Sequence, residues 1–423
     1  QSPIVRFSKL GDYLKADSGI LGLMQDIDTA MTGPDPMLLL GGGNPARIPA
    51  VQEVFRDSMQ QLLDDGDRFE NIGGSYDGAK GDSVVGQALA SLLQKRFGWD
   101  IGPENVAITN GSQSSFYTLF HLFAGEYSDH PCRKILLPLT PEYIGYSDIG
   151  MGNNLFRSYQ PAIELQGTHE FKYHVNFESL TVDDDIGAIA VSRPTNPTGN
   201  VLSDSEISKL RALARSHDIP LILDSAYGAP FPNIVFPEVT TDWDENTILC
   251  LSLSKLGLPG LRTGFVVANE EVIRAISGAN AIMALAPGST GPALARNMIE
   301  DGRILDISND LIRPYYKAKV QDAMNWVKHA MHGLPCRIHS PEGAIFLWLW
   351  FEGLPITSEL LYQRLKARGV LVVSGEHFFP GLSAPWAHRQ ECIRVSYAQE
   401  PSIVKKGIEV IAEEVRCAFH DGK

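Results

Sequence analysis

The chain is short of the features that mark several broad classes of protein. Its five cysteines (Cys132, Cys250, Cys336, Cys392 and Cys417) are scattered, odd in number and never spaced as Cys-x-x-Cys. That pattern argues against a disulfide framework or a thiolate metal site and fits reduced thiols in a cytoplasmic protein. There is no long run of lysine and arginine, and the formal net charge is −14, so no nucleic-acid partner is expected, because phosphate backbones recruit basic faces. The longest strongly apolar stretch, GAIFLWLWF at 343–351, is far too short to span a bilayer. QSPIVRFSKLGDYLKADSG at the start carries no signal-type apolar segment, so the expectation is no membrane and a cytoplasmic location. The first residue is Gln1 instead of methionine, which we read as a trimmed start. Repeats and low-complexity tracts are also missing. What is present is 423 residues of 44% hydrophobic content, enough for a large core and for two or three domains.

Between about residues 100 and 270 short apolar runs alternate with helical patterns, as in strand-helix-strand units of a largely parallel sheet. VAITN, KILLPL, GAIAVS, IPLILD, TILCLSLS and TGFVVAN read as strands. SQSSFYTLFHLFAG reads as a helix, with Phe116, Leu119, Phe120 and Phe123 at helical spacing. Ser203 and Glu206 form a capping-box signature before Ile207, Leu210 and Ala214. After Pro287 the spacing predicts a longer helical stretch to about residue 332. Beyond it come the strands CRIHS, AIFLWLWF, VLVVSG and CIRVSYA and an amphipathic helix, TSELLYQRLKARG, stopped at Gly369. This part reads as a second, smaller domain.

In open parallel sheets a ligand sits beyond the carboxyl ends of the strands, so the residues just after each strand carry the functional reading. VAITN is followed by Gly111, Ser112 and Gln113 at a helix start, an anion site or else an ordinary cap. After GAIAVS comes RPTNPTG, where two prolines aim the amide of Asn196. IPLIL is followed by Asp224 and, three residues on, Tyr227; a carboxylate there can be a metal ligand, a general base or a counter-ion. No histidine or second carboxylate stands beside it, which favours the counter-ion. TILCLSLS leads into SKLGLPGLRTG, where Ser252, Ser254, the glycines and Arg262 make a second anion-binding surface around Lys255. A lysine at the edge of an apolar strand has its amine pKa lowered and becomes nucleophilic. His329 and His332 read as a surface pair, and no metal is expected. Four strand ends therefore converge on one ligand with a phosphate, an aldehyde, a basic ring nitrogen and a ring hydroxyl: pyridoxal 5'-phosphate.

The set NPTG … D-x-x-Y … S-x-SK-x-x-G-x-PG-x-R-x-G resembles the fold type I aminotransferases, the aspartate aminotransferase superfamily. The resemblance implies a mostly parallel seven-stranded sheet flanked by helices plus a smaller α+β domain, with residues 51–304 as the large cofactor-binding domain and 1–50 with 305–423 as the small one. It implies that Lys255 bonds covalently to the cofactor aldehyde and that Asp224 pairs with the ring nitrogen. Tyr227 and Asn196 would then hydrogen-bond the ring oxygen, Gly111, Ser112, Gln113, Ser252, Ser254 and Arg262 would hold the phosphate, and Tyr143 would stack on the ring. Tyr76 is similar to a tyrosine that reaches the neighbouring subunit's phosphate, which implies a homodimer with shared active sites. Arg394 matches the arginine that grips the substrate α-carboxylate, with Gly43 and Asn44 in the loop that closes over it; a structural salt bridge is the alternative for Arg394. Arg193 stands where many relatives have asparagine, and its role stays open.

Longer stretches, among them GGGNPA, TNGSQS, PEYIGY and SRPTNPTGNV, are similar to the branch of that superfamily that uses L-valine and pyruvate. They imply amino-group transfer between L-valine, or a similar small apolar amino acid, and pyruvate, giving 2-oxoisovalerate and L-alanine by a ping-pong cycle. A lyase or decarboxylase of the same fold, or a different amino-acid preference, remains the alternative. A nicotinamide dehydrogenase is disfavoured: LLLGGGNPA satisfies G-x-G-x-x-A with Asp64 downstream, but Pro45 and Pro49 fall where the phosphate-binding helix should begin. A cofactor-binding transcriptional regulator would need a basic module that the chain lacks.

Overall fold

A computed structural model describes residues 5–151 and 153–422; the first four residues of the segment read above as free of a signal lie outside it. In chain order the strands are β1 (Leu38–Leu39), β2 (Val106–Thr109), β3 (Lys134–Leu137), β4 (Phe156–Ser158), β5 (Ala162–Gln166), β6 (Glu170–His174), β7 (Ile186–Ser192) and β8 (Leu221–Asp224). They continue with β9 (Thr247–Ser252), β10 (Gly264–Val267), β11 (Cys336–His339), β12 (Phe346–Phe351), β13 (Val370–Leu371), β14 (Val373–Ser374) and β15 (Cys392–Ser396). The helices that matter below are α1 (Gly19–Thr32), α2 (Ser112–Phe123), α3 (Asp204–Ser216), α4 (Arg313–Ala330) and α5 (Ser358–Ala367).

The first sheet has the order β2-β10-β9-β8-β7-β3-β4, seven strands as expected. Only β10 runs against its neighbours β2 and β9; the other pairs are parallel. Its central strands are apolar along their whole length because helices cover both faces: all seven positions of β7 and all six of β9 are buried. Register then decides where the chemistry falls. Ser192 pairs with Asp224 and Asp224 with Cys250, so β7, β8 and β9 end side by side and their next residues open on one cleft.

The second sheet has the order β14-β15-β12-β11-β6-β5. Its β5–β6 hairpin comes from residues 162–174, inside the span that the sequence reading gave to the larger domain, and β6 pairs in parallel with β11. The hairpin was unread because AIELQ is mostly exposed and carries no apolar run; only Phe171 and Tyr173 of β6 are fully buried. The helical stretch expected up to residue 332 is interrupted at Gly302, whose φ of +78° ends one helix before the next begins. The local signals elsewhere behave as read. Ser203 and Glu206 cap each other at the start of α3, and Gly369, at φ +78°, follows the end of α5. Finally β1 and β13 form a separate two-stranded parallel sheet, and the Leu40 carbonyl accepts the Ser396 N–H at the end of β15 at 2.7 Å, which brings the Gly41–Asn44 loop to the cleft.

Candidate active site

Lys255 follows β9 and opens on the cleft while its amine lies among buried groups. Desolvation, then the Arg394 and Arg262 guanidiniums, lower its pKa to about 7. The amine donates to the Gly43 carbonyl and lies 5.4 Å from the centre of the Tyr227 ring. A Cβ on Gly43 would sit 3.2 Å from Lys255 Nζ, so a side chain there would crowd the amine. At the end of β8, Asp224 is 6% exposed, and burial raises its carboxyl to about 6. Two donors hold it: the Tyr146 hydroxyl at 2.6 Å and the Ala226 N–H at 3.0 Å. Burial likewise raises the Tyr227 phenol, which stays protonated.

The other end of the cleft is cationic. Gly111 starts α2 at φ +98°, no side chain caps the helix's first turn, and a Cβ on Gly111 would lie 2.5 Å from Arg262 Nη2. Only glycine lets that guanidinium lie against a helix N-terminus, where free N–H groups already favour an anion. Arg262, at φ +49°, donates to Ser254 Oγ at 3.3 Å, and Ser252 Oγ accepts the Ser254 N–H at 2.9 Å. Ser112 donates to the Leu251 carbonyl at 3.4 Å, and Gln113 to the Gly145 carbonyl at 2.9 Å, leaving Gln113 Oε1 buried without a partner.

Arg394 on β15 is 2% exposed, and no carboxylate among the described residues pairs with it. Its guanidinium donates to Asn196 Oδ1 at 2.8 Å and to the Gly41 carbonyl at 2.6 Å, and lies over Phe346 at 4.0 Å and Phe378 at 5.3 Å. Burial lowers its pKa to about 10, so it stays charged at neutral pH. The salt-bridge alternative is therefore not what the structure shows.

The cleft thus gathers Lys255, Asp224, Tyr227, Asn196, Arg394, Gly43 and the serine and arginine cluster. Asn44 is exposed at its edge, Tyr143 is half-buried, and Tyr76 is turned outward at 83% exposure. Arg193 belongs elsewhere: it donates to Asp204 at 2.9 Å and to the Thr240 carbonyl at 3.2 Å, fastening the start of α3. Two further residues of PEYIGY, which the motif spacing does not single out, take part in the site. Tyr146 is the donor to Asp224. Glu142 is 2% exposed, accepts the Ser192 hydroxyl and, at 3.1 Å, the Ser192 N–H, and is raised by burial. It pins the aromatic loop to the end of β7; a carboxylate next to a proline after a strand was the available signal.

A desolvated amine, a buried carboxylate on the far side and an uncapped helix start with an arginine beside it fit a ligand carrying an aldehyde, a basic ring nitrogen and a phosphate. A sheet of this topology with that donor set defines a fold type I transferase that uses pyridoxal 5'-phosphate. Residues 39–411 match the family described as aminotransferase class I and II, and the chain belongs to it. Among its relatives is the valine–pyruvate aminotransferase of Escherichia coli (strain K12), 49% identical over 98% of this chain and 99% of that protein. The crystal structure of valine-pyruvate aminotransferase from Salmonella typhimurium LT2 superposes with a TM-score of 0.87 at 48% identity, covering 95% of this chain and 100% of that one. A putative amino-acid aminotransferase from Psychrobacter arcticum 273-4 gives a TM-score of 0.95 at 43% identity, covering 99% and 100%.

Proposed function

We propose that this chain exchanges an amino group between L-valine, or a similar small apolar amino acid, and pyruvate, giving 2-oxoisovalerate and L-alanine in a ping-pong cycle at one site. The observation that carries the reaction class is the meeting, in one cleft, of an amine held near pKa 7 and a buried guanidinium with no carboxylate of its own. Near-full-length identity to a valine–pyruvate aminotransferase supplies the substrates.

Bound pyridoxal 5'-phosphate supplies an electrophilic aldehyde and a ring that withdraws electrons from the substrate Cα. Lys255 is the amine that would hold the cofactor, and its Nζ is placed to take a proton from the substrate Cα and give it back. A pKa near 7 suits both duties, because each protonation state is populated at neutral pH. Asp224 would hold a proton on the ring nitrogen, and Tyr146 keeps its carboxylate aimed. Tyr227 and Asn196 would hydrogen-bond the ring oxygen, and Tyr143 would cover the ring face. Gly111, Ser112, Gln113, Ser252, Ser254 and Arg262 would hold the phosphate. Arg394 and Asn196 orient the α-carboxylate under the Gly43–Asn44 loop, so that one geometry serves both the amino acid and the oxoacid.

Tyr76 and the apolar Ile282, Met283 and Leu285, all exposed, support a homodimer in which Tyr76 completes the other copy's phosphate site. Residues 51–304 form the large domain and 1–50 with 305–423 the small one, which the 162–174 hairpin extends. No helix is long and apolar enough to cross a membrane among the described residues, and five free thiols support a reducing, cytoplasmic setting. The test is a panel of L-amino acids mixed with the cofactor-loaded protein, following the change in cofactor absorbance. L-Valine and L-alanine should react fastest; preference for a dicarboxylic amino acid, or release of carbon dioxide or ammonia, would overturn the reading.

A further inference from the structure

Lys172 lies on β6, in the hairpin that leaves the first half of the chain for the second sheet, and is 9% exposed. A buried ammonium needs an acceptor for each N–H. Its three are Asn200 Oδ1 at 2.6 Å, the Val201 carbonyl at 3.2 Å and Glu342 Oε1. Glu342, a few residues before β12, also accepts the Val201 N–H on Oε1 at 3.2 Å, and its own N–H donates to the Gly199 carbonyl at 3.0 Å. Gly343 comes so close to the same turn that a Cβ would fall 2.8 Å from the Pro194 ring. Every hydrogen bond the two side chains make outside their own pair therefore ends on the 194–201 turn.

That turn is internally braced: the Thr195 N–H donates to the Asn200 carbonyl and the Gly199 N–H to the Thr195 carbonyl, both at 2.8 Å. Asn196 sits inside the brace, so whatever fixes Gly199–Val201 fixes its amide too. The amide meets Arg394 at 2.8 Å across the junction of the two sheets, because Asn196 follows β7 of the first sheet and Arg394 lies on β15 of the second.

We propose that Lys172 and Glu342 are positioning residues for the substrate carboxylate. From the second sheet they grip the first sheet's turn, and so set the distance at which Asn196 and Arg394 present one fork of donors to the incoming acid. The proposal rests on the reading of Arg394 as the carboxylate grip. A pair that served stability alone would have no reason to act on the carboxylate more than on the cofactor. This pair touches neither, and it reaches the site through the turn.

The test uses the full-length, cofactor-loaded enzyme and three variants: Glu342→Gln, Lys172→Met, and the double variant, which leaves no uncompensated buried charge and so keeps the fold where a single change does not. Two quantities are read: KM and kcat for L-valine with pyruvate, and Kd for 3-methylbutanoate, which has the carbon skeleton of L-valine without the amino group. The expected result for the double variant is a rise of about tenfold in both KM and Kd, the scale of one misaligned charge-assisted hydrogen bond. The value of kcat should stay within about twofold, and affinity for pyridoxal 5'-phosphate, to which the Asn196 amide gives only one contact of many, should fall by no more than about twofold. A double variant with KM and Kd within about twofold of the parent protein, or one in which kcat and cofactor affinity fall in step with KM, would overturn the proposal. If the parent protein neither reacts with L-valine nor binds 3-methylbutanoate, the functional reading fails separately, and the comparison is then made with the panel's best amino acid and its deaminated acid.

Discussion

The two ends of the cleft are built on different principles. At the cofactor end, Asn196, Asp224 and Lys255 follow three strands that are consecutive in the chain and adjacent in the sheet, so parallel register sets their spacing. At the substrate end, Arg394 is bonded to Gly41, 353 positions away, and to Asn196, 198 positions away. The first arrangement is a property of one sheet; the second exists only when two sheets and the N-terminal segment dock correctly. Errors in docking therefore cost substrate alignment first, and errors in the sheet cost the chemistry.

The sharpest break at the cofactor end is Lys255→Ala. Removing both the nucleophilic amine and the proton carrier at Cα should lower turnover by at least about 1,000-fold. Arg394, the hydrogen bonds it donates and the binding of 3-methylbutanoate should survive. Steady-state assays beside equilibrium binding of that acid check the contrast; variant turnover within about tenfold of the parent would remove Lys255 from the chemistry. The matching break at the substrate end is Arg394→Lys. It keeps the charge and loses the planar fork, so kcat/KM for L-valine should fall by about 100-fold, a loss of about 2–3 kcal/mol. Spectrophotometric titration with pyridoxal 5'-phosphate should show unchanged cofactor affinity, and a loss of that affinity would mean that the two ends are not separable.

This division also sets what could be read from the chain alone. The positions at the cofactor end were legible because each strand is a short apolar run followed by chemically distinctive residues: Asn196, Asp224 and Lys255 come just after runs, and Arg262 lies in the loop between β9 and β10. Six of the sheet's seven strands followed from the same runs and the count of seven from the family resemblance; β4, only three residues long, left no run to read. Asn44 was placed by its neighbours in the loop and proves exposed. The 162–174 hairpin was not legible, because AIELQ is mostly exposed with no buried residue and is a strand only through its pairing with β6. Nor was Arg193, whose partners Asp204 and Thr240 are visible only in three dimensions. Tyr146 lay in plain view three residues after Tyr143, but the helical turn that aims it at Asp224, Ile144–Tyr146, leaves no mark in the pattern.

Tyr146→Phe sharpens the cofactor end more gently. The lost hydroxyl is a donor to a carboxylate, so its removal costs about 1–2 kcal/mol of stabilisation of the charged form. Asp224, already raised to about 6 by burial, should move higher. The acid limb of the kcat/KM profile for L-valine should shift toward neutral pH, with a fall of about three- to tenfold at pH 7. An unshifted limb in the pH–rate profile would show that the phenol serves packing alone.

The smallest effect concerns the protein without its cofactor: two groups of the cofactor end act with opposite sign, and the substrate end adds little. Lys255 has a folded pKa near 7 against an ordinary 10.5, so between those values the unfolded chain holds a proton that the folded one lacks, and stability through this group rises with pH from about 7 to about 10. Asp224 has a folded pKa near 6 against an ordinary 3.8; in that window the folded chain holds the extra proton, and stability through it falls as pH rises from about 4 to about 6. Arg394, near 10, remains charged across most of this range, so the substrate end contributes little slope below pH 9. Thermal midpoints of cofactor-free protein between pH 4.5 and 9 should therefore show the parent rising above pH 7 more steeply than Lys255→Met, and falling between pH 4.5 and 6 more steeply than Asp224→Asn, by about 1–3 °C in each window. Arg394→Gln should run parallel to the parent throughout. A parent and Lys255→Met whose midpoints stay parallel above pH 7 would show the amine to be solvated in the empty cleft, and its depressed pKa would then have to come from the bound cofactor and not from the fold.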